Sequence, residues 1–171
     1  MKAGTHRARD FLSVNPLGKV PAIVHGDYRL DNALVVGGRD DAHVSAILDW
    51  EMATLGDPLM DLGGALAYWV QADDDRIMRG SRRQPTHAPG MLTRDEVWQY
   101  YAHASGRAIS PKDQLFYEIF GLFRLAVIAQ QIYYRYANGQ TSNPAFKQFR
   151  GLVIYLEWRC RRLMRRAGRL S

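Results

Sequence analysis

His25-Gly26-Asp27-Tyr28-Arg29-Leu30-Asp31-Asn32 is the stretch that decides how this chain folds, and Ile47-Leu48-Asp49-Trp50-Glu51 completes it a short way downstream. Short apolar runs flank the first segment, Ala22 to Val24 before it and Ala33 to Val36 after it, and a third, Val44 to Leu48, leads into Asp49. Short runs rich in Val and Ile read as strands, and Gly37, Gly38, Asp40 and Asp41 between the last two supply turn chemistry, which predicts a β-hairpin. Three oxygen-bearing side chains, Asp27, Asn32 and Asp49, therefore fall at strand ends. Taken singly each has a plain structural role, an Asp shaping a turn or an Asn capping a loop. Their joint spacing in a strand–loop–hairpin frame points to chemistry.

Outward from this block the chain turns helical. Asp57-Pro58 offers an N-cap and a proline at the first helical position, and Leu59, Leu62, Leu66 and Trp69 follow at helical spacing, predicting a helix over about 58–70. Residues 71–92 carry the acidic run Asp73 to Asp75, the pair Arg82 and Arg83, and prolines 85 and 89, and read as a long loop. Thr93 with Glu96 is a capping-box signature for a helix through Val97, Tyr100, Tyr101 and Ala104 that stops at Gly106. Ser110-Pro111 opens another, which ends at Asn138-Gly139 and reads as a buried core helix. The last helix sets Leu152, Leu156, Cys160, Leu163 and Ala167 on one stripe. Upstream, residues 1–19 show no sustained periodicity and read as a lead-in, with one domain expected over 20–171.

At 171 residues and 47% hydrophobic content the chain is long enough for a sizeable core. Cys160 is the single cysteine and cannot pair within the chain, and no apolar h-region follows the charged residues at the start, so a cytoplasmic protein is expected. Glu118, Arg124, Gln130 and Gln131 interrupt the most apolar stretch and argue against a membrane span. The formal charge of +6 and pI of 9.7 favour anionic partners. Much of that charge is local, however, in Arg159, Arg161, Arg162, Arg165, Arg166 and Arg169. A nucleic-acid or membrane-surface role for that basic helix is the lesser reading, because its apolar stripe implies packing on the core. His43, His87 and His103 have no ligand spacing with one another or with Cys160, so no zinc site is expected.

Phosphoryl transfer needs a carboxylate to orient the accepting hydroxyl and oxygen ligands that hold magnesium against the phosphates. In a protein-kinase catalytic loop the base Asp precedes a metal-binding Asn by five positions, and a second metal-binding Asp follows the next hairpin. Asp27, Asn32 and Asp49 reproduce that layout. With His25-Gly26-Asp27, Asn32, Asp49-Trp50-Glu51 and Gly56-Asp57-Pro58-Leu59-Met60-Asp61-Leu62-Gly63, the chain resembles the aminoglycoside phosphotransferase and choline kinase family over roughly residues 20–150. Tyr28 to Asp31 and Phe123-Arg124-Leu125-Ala126 look like its branch fused to acyl-CoA dehydrogenases. The resemblance implies an α+β fold, a mainly helical, protein-kinase-like C-terminal lobe with a small β-hairpin carrying the catalytic loop. It implies ATP and Mg2+ as cofactors, Asp27 as catalytic carboxylate, and Asn32 and Asp49 as magnesium and cofactor ligands. His25 would brace the loop and Asp61 anchor it from below. Arg29 is a candidate for touching the transferring phosphate, an exposed salt bridge being the equal alternative. Gly26 stands where protein kinases usually have Arg, and Trp-Glu follows Asp49 instead of Phe-Gly, which argues against control by activation-loop phosphorylation.

A glycine-rich loop, a strand lysine and its helix glutamate cannot be placed before the catalytic loop, so the N-terminal ATP-binding lobe is expected to be absent and the chain by itself inactive. Two function classes remain open: an ATP- and magnesium-dependent phosphotransferase acting on a small-molecule hydroxyl, represented by its catalytic lobe, or a truncated, inactive kinase-like fragment or binding module. Acidic runs such as Asp73 to Asp75 and Asp40-Asp41 are few outside the catalytic block, so a neutral or anionic acceptor is expected over a polycation. Self-association through an apolar surface near the hairpin and Val20 to Val24 is a further expectation.

Overall fold

A computed structural model describes residues 22–38 and 40–167; the lead-in over 1–19 and Arg169 lie outside the described residues. Among the described residues the β structure is two antiparallel pairs. Strand β1 (Ala22–Val24) pairs with β4 (Thr54–Gly56), Ala22 opposite Gly56 and Val24 opposite Thr54. Strand β2 (Ala33–Val36) pairs with β3 (His43–Ile47), Ala33 opposite Ile47, with an irregularity between Leu34 and Val35. The hairpin is thus where turn chemistry put it, with β3 starting one residue early. Its turn holds Gly37 at φ 101, where an added Cβ would lie 2.6 Å from the Asp41 carbonyl oxygen. Strand β4 and the 3-10 turns Leu30–Asn32 and Trp50–Met52 are additions that the sequence reading lacked.

Helix α1 (Leu59–Ala67) begins where Asp57 Oδ1 accepts the Leu59 N–H at 3.0 Å. It stops short of residue 70 because Val70 exchanges both backbone bonds with Thr86, whose Oγ1 accepts from Val70 N at 3.0 Å and donates to Val70 O at 2.9 Å. The stretch read as a long loop contains a short helix, α2 (Arg76–Gly80), capped by Asp75, whose Oδ1 accepts from Ile77 and Met78. Helix α3 (Arg94–Ser105) has the Thr93–Glu96 capping box and ends at Gly106 with φ 65. Helix α4 (Pro111–Ala137) has a second box, Ser110 with Asp113, and α5 (Phe149–Ala167) closes the fold after a 3-10 turn over Pro144–Gln148.

The core lies between α1, α4 and α5. Leu156, Cys160 and Leu163 pack from one stripe of α5 against Leu122, Ala67, Val70 and Met78. Helices α1 and α4 cross backbone to backbone: a Cβ on Gly121 would lie 2.0 Å from Gly63 O, and one on Gly63 2.2 Å from Tyr117 O. Helix α4 is buried on one face only, which corrects the expectation of a buried core helix; Phe116, Phe123 and Tyr134 are exposed. By length and composition alone α4 is apolar enough to cross a membrane, and its packing on α1 and α5 is that of a core helix on its inner face.

An ionic cluster pins the 71–75 segment to the helices. Arg94 forks onto Asp74 with bonds of 2.8 and 2.6 Å and also donates to Trp69 O at 2.6 Å, while Arg159 stands 3.9 Å from Asp74 and the Tyr155 hydroxyl donates to Asp75. Burial alone would raise the carboxyl of Asp74, but the Arg94 hydrogen bond, the Gln71 N–H and the two guanidinium charges hold it below its ordinary value. Tyr155 is pushed up to about 12 by burial and by its bond to Asp75.

Candidate active site

Strand β1 delivers Val24 and His25 into the interior, and the chain then turns at Gly26, whose φ of 83 and an added-Cβ distance of 2.4 Å to Met52 O exclude any side chain there. The freed backbone amides are taken by one carboxylate from α1: Asp61 Oδ2 accepts from His25 N at 2.6 Å and Oδ1 from Gly26 N at 2.8 Å. His25 is 2% exposed and bridges two segments. Its Nδ1 accepts the Asp27 N–H at 3.1 Å, so Nε2 carries the proton and donates to Leu48 O at 2.7 Å. Trp50 packs over the imidazole, centroids 4.6 Å apart, and is itself fixed by a 2.7 Å bond from Nε1 to Ile47 O.

The 3-10 turn Leu30–Asn32 curls Asn32 back under Asp27. Both amide hydrogens are committed there, Nδ2 donating to Asp27 O at 2.8 Å and to Asp27 Oδ2 at 3.2 Å. Asn32 Oδ1 is left with no hydrogen bond among the described residues, and the buried Asn32 also binds Leu48 N through its backbone oxygen at 2.8 Å. Leu48 is therefore held from both sides, by Asn32 and by His25, directly before Asp49. Asp49 is the one non-glycine described residue with positive φ, at 66, and its exposed side chain makes no capping bond. A left-handed conformation off glycine costs energy and persists only where neighbours over-determine it; here the Leu48 clamp does so.

Arg29 bridges Asp27 at 3.2 Å and Asp31 at 3.8 Å, and its guanidinium lies 5.0 Å from the centre of the Tyr68 ring. Its Nε is buried without an acceptor among the described residues. Burial raises the Tyr68 phenol above its ordinary value, with Arg29 and Arg124 pulling the other way. The structure thus gathers His25, Asp27, Arg29, Asn32 and Asp61 into one bonded unit and ties the residue before Asp49 to it. The sequence reading missed Trp50 as the lid of His25 and Tyr68 as the floor of Arg29; helical spacing from Asp61 to Gly64 and Tyr68 is the only signal for the latter. Among the described residues no three His, Cys, Asp or Glu side chains cluster for a metal.

The profile of the Phosphotransferase enzyme family matches residues 6–97. A crystal structure from Ralstonia eutropha JMP134 assigned as an aminoglycoside phosphotransferase superimposes with a TM-score of 0.62 at 30% identity, over 91% of this chain and 48% of that one. Acyl-CoA dehydrogenase family member 10 of Mus musculus is 40% identical over 74% of this chain, acyl-CoA dehydrogenase family member 11 of Homo sapiens 34% over 77%, and the Arabidopsis thaliana protein IBR3, a probable acyl-CoA dehydrogenase, 34% over 73%. This chain belongs to the phosphotransferase enzyme family and has its kinase-like fold, mostly helical with few strands. It spans 12% to 16% of the length of those acyl-CoA dehydrogenase relatives.

Proposed function

We propose that residues 20–171 form the catalytic lobe of an ATP- and magnesium-dependent phosphotransferase that acts on the hydroxyl of a small molecule. The observation that carries this reading is the Asn32–Asp27 contact, in which both amide hydrogens are spent on Asp27 while Asn32 Oδ1 keeps its lone pairs. An asparagine that merely capped a turn would use its oxygen. Asp27 then holds the acceptor hydroxyl and takes its proton as the oxygen attacks phosphorus. Asn32 Oδ1 and the Asp49 carboxylate are the hard oxygen donors suited to magnesium, which commonly keeps one or two protein ligands and takes the rest from water and phosphate. When bound, the ion neutralises charge developing on the phosphate oxygens. Arg29, paired to Asp27 at 3.2 Å, reaches the transferring phosphate by exchanging one ion pair for another. His25 and Asp61 fix the backbone from which these groups extend.

The test uses this lobe joined to a nucleotide-binding lobe. Asp27→Ala is expected to cut turnover by about 100-fold or more with nucleotide binding nearly intact. Asp49→Ala is expected to abolish magnesium-dependent nucleotide binding in calorimetry. Equal, mild effects of the two substitutions would overturn the assignment.

A further inference from the structure

Helix α5 buries one stripe, Leu156, Cys160 and Leu163 in the core, and presents another. On the opposite side Arg150, Ile154, Trp158, Arg161 and Arg165 follow one another at intervals of four, four, three and four residues, which sets them on one ridge. At the helical rise that ridge is about 22 Å long. All five are exposed, Ile154 at 59% and Trp158 at 50%. Trp158 is held in place there: its indole stacks on Tyr155 with ring centroids 6.0 Å apart, and the Arg162 guanidinium lies 5.5 Å from its ring centre. Helix α5 carries six arginines and one acid, Glu157, which pairs with Arg161 at 2.6 Å. Arg150 and Arg165 make no hydrogen bond or ion pair with any described residue. Helix α2 packs beside α5 through Met78 and the Tyr155–Asp75 bond, and Arg79 on it and Arg82 just after it are exposed.

This surplus of positive charge fits an anionic partner, and the apolar pair within the ridge narrows the kind. A nucleic-acid backbone would set phosphates along the whole ridge and gains nothing from an isoleucine in its middle. The surface of an anionic bilayer offers both phases, phosphates and carboxylates for the arginines and the boundary between headgroup and acyl chain for the indole and the isoleucine. Long arginine side chains reach the headgroups while their apolar neighbours sink below them. We propose that the outer ridge of α5 docks the protein on anionic lipid, with Arg150, Arg161 and Arg165 on the headgroups and Ile154 and Trp158 in the boundary layer. The inward stripe stays in the core, so docking needs no unfolding. The surface is independent of the phosphotransferase reading. Each arginine near such a surface adds about fivefold in affinity, and salt weakens the attraction by screening it over roughly 8 Å at physiological ionic strength.

The experiment is flotation of the full chain with vesicles of phosphatidylcholine alone or mixed with phosphatidylserine, at low and at raised sodium chloride; self-associated protein sinks and is not counted. Binding to the phosphatidylserine vesicles is expected to be at least tenfold tighter than to phosphatidylcholine, to fall with salt, and to shift tryptophan emission to the blue. Arg161→Gln combined with Arg165→Gln should weaken it at least tenfold. Trp158→Ala, which leaves the charge unchanged, should weaken it several-fold and remove the emission shift, and it decides the matter if the double variant fails to fold by circular dichroism. Trp158→Phe should keep most of the binding. Equal binding to both vesicles, or binding indifferent to Trp158→Ala, would overturn the proposal, the latter leaving only a diffuse attraction of the net charge. A labelled oligonucleotide bound more tightly than the vesicles at equal phosphate concentration, and released by the same variants, would assign the ridge to nucleic acid and overturn it as well.

Discussion

Leu156, Ala129 and Leu122 between the helices are 0%, 1% and 2% exposed, whereas Ile23 and Leu55 on the paired strands β1 and β4 are each 69% exposed. The helical half packs on itself through the α1–α4 crossing, the α5 stripe and the ionic cluster, while α4 keeps an exposed apolar outer face. The β half is finished on one side only. Val24 faces inward while Ile23 beside it faces out, and the hairpin exposes Val35 and Val44 as well. Runs that are apolar on both strand faces are those covered on both faces in folded proteins. The difference separates two duties: the helices hold the fold, and the strands hold the loop from Gly26 to Asn32 while leaving apolar side chains exposed.

The sharpest way to break the helical half is at its closest approach. Gly121→Ala would put a methyl 2.0 Å from the Gly63 carbonyl oxygen, and neither backbone can yield without parting α1 from α4. A loss of about 3 kcal/mol or more is expected in urea unfolding, a large share of the roughly 5–15 kcal/mol typical of a domain. Gly139→Ala serves as control, since no atom lies within 4 Å of that position, although φ of 69 makes it mildly strained. If the two variants lose the same stability, the close crossing is not what joins the helices.

Next in size is the ionic cluster. Asp74→Ala strands Arg94 and Arg159, side chains 19% and 16% exposed, and breaking a largely buried pair by removing one partner costs about 3 kcal/mol. The pH dependence has a definite sign. Asp74 and Asp75 are held below their ordinary value of 3.8, so they contribute stability above that pH which is lost as pH falls through their lower folded values. Tyr155, ordinarily 10.0 and raised to about 12, contributes stability below pH 10 that is lost as pH rises toward 12, because the unfolded chain ionises first. Thermal melts should therefore fall at both ends, with Asp74→Asn flattening the acid limb and Tyr155→Phe the alkaline one. Unaltered limbs in these variants would remove the cluster from the account of stability.

How much of this was legible beforehand follows the range of the interaction. The β1, β2 and hairpin segments, both ends of α3 and α4, and the α5 stripe were readable because caps, turns and periodicity are written in adjacent residues. Asp27 and Asn32 share one tight loop, so their spacing alone foretold that they could meet. Strand β4 was not readable, since Thr54–Gly56 is a strand only through pairing with β1. Helix α2 hid inside a polar stretch, although Asp75 was a cap in plain view. Gly63 and Gly121 carry no local mark of a crossing that exists only in three dimensions. Tyr68 was marked only by its helical spacing from Asp61, because its contact with Arg29 joins residues 39 positions apart.

The smallest effect on stability is expected on the β half, and there the two halves part most clearly. We propose that the outer face of β1 and β4 mediates self-association of the chain. Exposed contiguous apolar surface favours association, and Ile23 and Leu55, which stand opposite each other in the ladder, form its centre. Replacing either by lysine removes apolar area from water-facing positions without opening a cavity, so the unfolding free energy should move by about 0.5 kcal/mol or less. Paired strand edges also tolerate lysine, which opposes edge-to-edge addition. Sedimentation velocity across a concentration series is the measurement: the wild-type chain should shift toward larger species as concentration rises, and Ile23→Lys with Leu55→Lys should hold the monomer. Loss of several kcal/mol in these variants would mean that the strands support the core as much as the helices do. An unchanged association would move the sticky surface elsewhere, to the exposed Phe116, Phe123 and Tyr134 of α4.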